Sequence, residues 1–587
     1  MSRRNRDCKV NYHFMEWTSK RKYYTISGRI SLLCLRKVFQ MKNTKRRFFL
    51  LVVVVLSIIG LGYFFGCKTE TTLDLPQQKT PQEDTKPNSS GTTEKDGKTE
   101  LTDTLEGAAS NDNPSSDVES SVASPVVVPV EWTSKLFTEQ IPEVSLPTIS
   151  DGEILAMRQY DGRKQGLVTP VKSQGKYSTC WAYATAAALE AAILKRDLPT
   201  VDELDLSEVF LVYYRYNTVP TPIGGLEVDN RADSNSNMFE TGGYPSNLIN
   251  TLCSWAGVVN ESTYPDINEL TFRNIDRTKT YAEQVALVTT AGTITTYASE
   301  WTMESSSDGI RYNTQVVDAG VLTMKKYLYT YGALATAYNT AESGLDKNDA
   351  GIYSSFTGRD YRSVNHAITI VGWDDDFRMS GPPKPGAWLV KNSYGEAFGN
   401  EGYFWLSYYD GTIADWAFYC DVASVEEYDN NYQYDSASAS NEIIGTGSAS
   451  VLQTANIFTA QGNEDLKAVQ FGMHYDNMKY KIDVYLDPEK NYPTSGEHIT
   501  TVQGDILPAG HHTIVLPTPV QLKENQSFAV VVTYETEPNH TPTALYESTA
   551  NSLAGQSFYR LGTSDEWRDM YYEGKGNLRL KAFTKNR

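Results

Sequence analysis

The chain has 587 residues, enough for two or three domains with sizeable cores. Its net charge of −19 is unevenly spread: residues 1–47 hold 14 Lys/Arg against two acids, a net +12, which leaves −31 for the rest. So acidic a remainder excludes nucleic acid as a partner, because phosphate binding needs a basic face. Six cysteines, only three of them beyond residue 67, are too few for a disulfide framework and contain no CxxC pair. Zinc, haem and P-loop spacings are also missing, so no metal and no cofactor is expected.

The basic segment 1–47 reads as cytoplasmic. Phe48–Gly66 comes directly after Lys45, Arg46 and Arg47 and runs 19 residues without a charge. That pattern predicts a membrane-spanning helix with its basic flank inside, or a cleaved secretory signal. Lipidation at Cys67 is a third anchor compatible with Gly66. All three place the remainder of the chain outside the cytoplasm, at the cell surface or secreted. Residues 1–40 are unlike the start of a signal, and Met41 offers an alternative first residue. Residues 68–130 are rich in Thr, Ser, Asp, Glu, Pro and Gly and nearly free of aromatics, so they read as a disordered stalk. Residues 131–159 form a short lead-in or pro-segment.

Residues 160–425 turn aromatic and mixed in pattern. The Ala-rich run from Cys180 to Arg196 predicts a helix, and "HAITIVGW" (His366–Trp373) and "YFWLSYY" (Tyr403–Tyr409) predict strands. Residues 430–587 change texture again. "KYKIDVYL", "HTIVLP", "SFAVVVTYE" and "LRLKAF" alternate or run β-branched between Pro, Gly and Asn turns, which predicts an all-β sandwich.

"SQGKYSTCWAYATAAALEAA" (Ser173–Ala192) places a lone thiol at a helix start. Unpaired N–H groups and the helix dipole favour a thiolate there, the nucleophilic form. Such a thiolate needs a base, and between Trp132 and Asp421 the chain has one histidine, His366. A cysteine enzyme using histidine in this region is thus restricted to Cys180 and His366. Asn392, in "WLVKNSYG" after another apolar run, can orient the imidazole. Gln174, six residues before Cys180, can supply a side-chain donor to an oxyanion, with the Cys180 backbone N–H as the second.

"TPVKSQGKYSTCWAYA", "NHAITIVGWDD" and "WLVKNSYGEAFGNEGYFWLSYY", in that order, resemble the three signature blocks of papain-like cysteine peptidases. The resemblance covers about residues 160–421. It implies an α+β fold with two lobes, one helical and carrying Cys180, one β-rich and carrying His366 and Asn392, with a cleft between them. It also implies roles: Cys180 nucleophile, His366 base and then acid, Asn392 orienting His366, Gln174 in the oxyanion hole. Gly242 and Gly243 match the glycine pair lining the family's substrate cleft, and Trp181 joins them as substrate-binding. "LSEVFLVYY" and "STYP" match minor blocks. The expected partners are protein or peptide substrates, cut as a surface endopeptidase. Residues 430–585 resemble the lectin-like sandwich attached to surface peptidases of this type, which adds a glycan or cell-wall ligand as a candidate partner.

Some positions depart from the family pattern. Tyr177 stands where a disulfide cysteine is common, Ser178 where a cleft glycine is common, and Tyr394 where a Trp shields the Asn–His bond. The aromatic ring of Tyr394 is expected to keep part of that shielding. Cys180 and His366 lie 186 residues apart, a long interval assigned to insertions within Val219–Asn237 and Thr278–Asp318. Asp374–Asp376 read as a solvated turn, with a calcium loop as the alternative. Cys253 and Cys420 are either a disulfide or two buried thiols. The sandwich aromatics Tyr480, Tyr485, Tyr559, Trp567, Tyr571 and Tyr572 read as packing residues, with sugar stacking as the alternative. Two other functions stay open at this level: an exopeptidase or transpeptidase trimming wall peptides, and a catalytically silent adhesin binding glycan or matrix.

Overall fold

The computed structural model describes Leu136, Ile141 and residues 149–587, except 200–202, 220–233, 236, 257, 265–274, 277–278, 297–302, 307–308, 341–344, 349, 359–362, 446–449, 476–477, 506, 538–539 and 549–550. The expected basic segment, membrane or signal segment and stalk (1–47, 48–66 and 68–130) lie outside the described residues. Among those described, no helix is long and apolar enough to cross a membrane.

Helix α1 (Asp151–Ala156) is started by a capping box in which Ser150 and Glu153 satisfy each other's backbone N–H groups. Strand β1 (Gln159–Asp161) comes next. Both are built into the domain: Lys326 pairs with Asp151, and Trp373 donates its indole N–H to Met157 O at 2.9 Å. This end of the expected lead-in is therefore structural.

Helix α2 (Cys180–Lys195) is buried on nearly all sides, from Trp181 to Ile193. Its alanines explain that placement, since small side chains let strands pack close on every face. Helix α3 (Glu208–Tyr216) is capped by Ser207, whose hydroxyl accepts from Phe210 N, and α4 (Ile249–Cys253) completes the helical lobe. Helix α5 (Thr314–Tyr331) turns Val317, Val321, Met324 and Leu328 inward, at the 3.6-residue spacing of an amphipathic helix. It stops at Gly332, where φ is +95° and an added Cβ would meet Ala191 O at 2.8 Å.

The strands that hold the site are β2 (Leu287–Thr295), β3 (Leu334–Tyr338), β4 (His366–Asp374), β5 (Ala387–Lys391), β6 (Tyr403–Ser407) and β7 (Trp416–Ala423). They are ordered β2-β7-β3-β4-β5-β6, all antiparallel, with β1 paired to the end of β4. Thr278–Asp318, within which an insertion is expected, is not all insertion. Its middle is β2, a central strand, and the described extra structure narrows to a hairpin of Met303–Ser306 with Gly309–Tyr312.

The second domain uses β8 (Asn430–Tyr432), β9 (Val451–Thr459), β10 (Glu464–Met473), β11 (Met478–Leu486), β12 (Glu497–Gly504), β13 (Gly510–Leu522), β14 (Ser527–Thr536), β15 (Ser557–Leu561) and β16 (Leu580–Asn586). One sheet runs β8-β16-β10-β13 and the other β12-β11-β14-β9-β15. Their facing sides bury Phe458, Phe471, Tyr480, Val530 and Tyr534 in one core. This is the α+β architecture expected: a papain-like domain followed by an all-β sandwich.

The two domains share a sheet. Strand β13 pairs with β2 at Gly510↔Gly292 and His511↔Ala291. Only glycines permit the crossing, since a Cβ at Gly292 would clash with Ala509 O, and one at Gly510 would sit 2.5 Å from the Gly292 Cα. Beside the crossing, Asp435 accepts from Arg579 at 2.9 Å and Lys581 at 2.7 Å, all three fully buried. Arg579 also holds the carbonyls of Ser436, Ser438 and Ser440, and Asn250 of α4 donates to Ser438 O at 2.7 Å. The strand-level join and this charged knot fix the sandwich to the helical lobe.

Candidate active site

Thr179 precedes α2 and its hydroxyl makes no cap bond; Ala182 N–H donates to Thr179 O at 2.9 Å, which leaves the N–H groups of Cys180 and Trp181 at the helix start. The Cys180 Sγ accepts from the backbone N–H of Ala367, the residue after His366, at 3.4 Å. Strand register explains how histidine and asparagine meet. Strands β4 and β5 are antiparallel with Thr369 opposite Lys391, so the start of β4 lies beside the end of β5. His366 Nε2 and Asn392 Oδ1 are 2.7 Å apart, and both residues are buried. An amide oxygen only accepts, so Nε2 carries the proton and Nδ1 is left as the basic nitrogen.

Gln174 stands on the loop before Cys180, with Gly175 at φ +59° making the turn. Its backbone N–H donates to Ser393 O at 2.9 Å, and Ser393 Oγ donates to its Oε1 at 2.7 Å. One Nε2 hydrogen goes to Tyr177 O at 2.8 Å, which leaves the second for a ligand. Ser393 also donates its backbone N–H to Asn392 Oδ1 at 2.7 Å. Ser393 therefore ties the Gln174 loop to the His366–Asn392 pair. Sequence reasoning overlooked it, although it lies inside the quoted "KNSYG".

Tyr394 stacks on the His366 ring, centroids 4.4 Å apart and planes 21° apart. The ring thus covers the imidazole while staying 41% exposed itself. Gly242 has open space where a Cβ would stand, whereas a Cβ on Gly243 would meet the Trp181 indole at 2.8 Å. Trp181 is fully buried. The expectation that it binds substrate needs correction: it is the floor under Gly243, and the glycines present the accessible surface.

Burial pushes the Cys180 thiol up, while the N–H groups of Ala367, Trp181 and Cys180 pull it down. Burial also lowers His366 to about 4, against the Asn392 bond, which raises it. Desolvation thus works against the charged thiolate–imidazolium pair, and backbone amides and Asn392 work for it.

Beneath the site lies a buried charge cluster. Lys172 Nζ pairs with Glu190 at 3.0 Å and Glu208 at 2.8 Å, and also with Asp205; Lys391 stands 3.9 Å from Glu190. A cavity of about 20 Å³ among Lys172, Glu190, Lys391, Asn392 and Ser393 is large enough for one water. These charges were visible inside the apolar blocks "TPVK", "ALEAA", "LSEVF" and "WLVKN", where a charge must have a buried partner.

Other sequence candidates fall away from the site. Asp376 pairs with Arg158, Asp375 with Lys325, and Asp374 accepts from Gln159 at 3.1 Å. Among the described residues no His, Cys, Asp and Glu cluster could hold a metal. Cys253 and Cys420 are buried and unpaired. In the sandwich, Tyr480 and Tyr559 are buried, whereas Tyr571 and Tyr572 are exposed.

A helix-borne cysteine, a strand-borne histidine bonded to asparagine and a glutamine strapped beside them define a papain-like thiol centre. Comparison with known proteins agrees. Residues 156–424 match the family described as "Papain family cysteine protease", and residues 431–584 match "Lectin like domain". The chain therefore carries a papain-family cysteine protease domain followed by a lectin-like domain. Cathepsin K of Gallus gallus is 25% identical over 44% of this chain and 61% of that protein. Cysteine proteinase 15A of Pisum sativum is 28% identical over 42% of this chain and 56% of that protein. The crystal structure of the cysteine protease and lectin-like domains of Cwp84, a surface layer associated protein of Clostridium difficile, superposes with a TM-score of 0.55. It is 21% identical and covers 76% of this chain and 91% of that one. That likeness extends the fold across both domains.

Proposed function

We propose that the protein is a cell-surface cysteine endopeptidase. The observation that carries this is the convergence of Cys180, His366, Asn392 and Gln174, from three separate segments, on one place beside the open Gly242–Gly243 strip. His366 Nδ1 takes the Cys180 thiol proton as sulfur attacks a peptide carbonyl. The second Gln174 Nε2 hydrogen and the Cys180 N–H receive the oxyanion. Asn392 holds the imidazolium through Nε2, so the proton on Nδ1 goes to the leaving amine when the C–N bond breaks. Water then attacks the thioester, giving its proton to Nδ1, and the acid product leaves with Cys180 restored.

A surface location is supported by the uncharged Phe48–Gly66 run with its basic flank, by the acidic remainder, and by the surface-layer association of Cwp84. The same run serves as membrane anchor or export signal. The lectin-like domain makes glycan or wall polymer a candidate ligand.

The test is hydrolysis of unfolded casein by the wild type and Cys180→Ala. The variant should lose all activity and keep its thermal unfolding profile. Residual hydrolysis by the variant would exclude Cys180 as nucleophile.

A further inference from the structure

The Gly242–Gly243 strip, which the endopeptidase reading gives to substrate, leads directly into a piece of the peptidase that the sandwich holds. Gly243 lies on the Trp181 indole, and one tight turn (Pro245–Leu248) connects it to α4 (Ile249–Cys253). Five residues are too few for a helix to stand by itself, so α4 keeps its place through its neighbours. Leu248 and Leu252 pack into the core of the helical lobe. The polar side chains of α4 reach the other way, into the sandwich.

Asn250 is buried at this junction. Its Nδ2 donates to Ser438 O at 2.7 Å and to Asn441 Oδ1 at 3.2 Å, and its Oδ1 accepts from His511 Nε2 at 2.9 Å. Both amide hydrogens and the amide oxygen of a peptidase residue are thus bonded to the sandwich. Thr251, also buried, donates its hydroxyl to Ala437 O at 3.2 Å, and Asn431 Nδ2 donates to Cys253 O at the helix end at 3.3 Å. The sandwich side is itself fixed: Arg579 donates to the same Ser438 O at 2.9 Å and to Asn441 Oδ1 at 3.0 Å. Bonds therefore run without a break from the Asp435–Arg579 pair through Ser438 and Asn250 to the helix behind the strip. Buried amides are costly to leave unpaired, so these bonds enforce one position of α4.

We infer that Asn250 is a positioning residue for peptide hydrolysis, through which the sandwich sets the place of the Gly242–Gly243 strip and with it the affinity for a polypeptide substrate. Asn250 acts through the strip, and His511 and Thr251 serve the same hold. The lectin-like domain is on this account needed by the peptidase itself. The inference rests on the endopeptidase reading above.

The test uses the full chain, an internally quenched peptide spanning a bond cut in casein, and iodoacetamide as a small probe of Cys180. His511→Leu leaves Asn250 Oδ1 without its donor. Its KM should rise about tenfold, while kcat and the rate of Cys180 alkylation stay within about twofold of wild type. His511→Gln, whose side-chain N–H can stand where Nε2 does, should restore the wild-type KM. Thr251→Val, nearly isosteric, should raise KM about fivefold, and it decides the question if His511→Leu does not fold. Folded variants with KM within about twofold of wild type overturn the inference alone, as does a His511→Gln as impaired as His511→Leu, or a KM rise matched by an equal fall in alkylation rate. No cleavage by a wild type whose Cys180 alkylates overturns the endopeptidase reading with it.

Discussion

Replacing Asn392 by Ala removes the acceptor held 2.7 Å from His366 Nε2. In the resting site the imidazole lies toward its neutral form, because burial lowers it to about 4. During attack it becomes an imidazolium, so the bond strengthens as charge develops. A hydrogen bond to a charged group is worth about 1.5–3 kcal/mol against about 0.5–1.5 for a neutral one, so the loss falls mainly on the transition state. A deficit of about 1.5–3 kcal/mol is roughly 10–150-fold in kcat/KM. The thiol should respond in the same direction. Asn392 raises His366, so its removal disfavours the imidazolium and the thiolate that pairs with it. Alkylation of Cys180 by iodoacetamide at neutral pH should slow in the variant. Blocked-peptide kinetics, alkylation rate and a thermal unfolding curve separate a positioning role from simple misfolding. A folded Asn392→Ala enzyme with kcat/KM and alkylation rate within about twofold of wild type would refute the reasoning.

Two further predictions concern stability. Burial raises Glu190, yet Lys172 and Lys391 outweigh it and hold this carboxyl below the usual range, while burial and neighbouring acids raise Glu208 to about 8. Glu208 is thus largely protonated at neutral pH, and Glu208→Gln should not lower the urea midpoint there, whereas Glu190→Gln should cost about 3–5 kcal/mol; equal losses would contradict this partition. Glu208 destabilises the fold as pH rises from its unfolded value to about 8, so the advantage of the Gln variant over wild type should grow across that window and level off above it. His512 is buried and lowered to about 4, with Nε2 bonded to Pro508 O at 2.7 Å. The unfolded chain binds a proton that the folded one refuses, so stability is lost as pH falls from about 6.5 to about 4, by up to about 3 kcal/mol from this residue. His512→Gln should flatten that part of the pH–stability curve, and an unchanged slope would count against the buried neutral imidazole.

The groups that converge on the candidate site were legible in the chain before any fold was known. One thiol at a helix start, one histidine in the region and an asparagine after an apolar run left few alternatives, and helix and strand periodicities marked α2, β4 and the sandwich strands. These signals are local, carried by neighbouring residues and by element periods. Other features depend on contacts between distant segments and emerged only in three dimensions. Ser393 became a link because the Gln174 loop folds onto it across 219 residues. Trp181 passed from expected substrate contact to floor because Gly243 closes over it. Thr278–Asp318, within which an insertion was expected, also contains β2, whose partners in the sheet are set by register with remote chain, which no local pattern encodes. The join of the two domains at Gly292 and Gly510 is of the same kind: each glycine alone looks like an ordinary turn residue, and only their mutual approach shows why neither can carry a side chain.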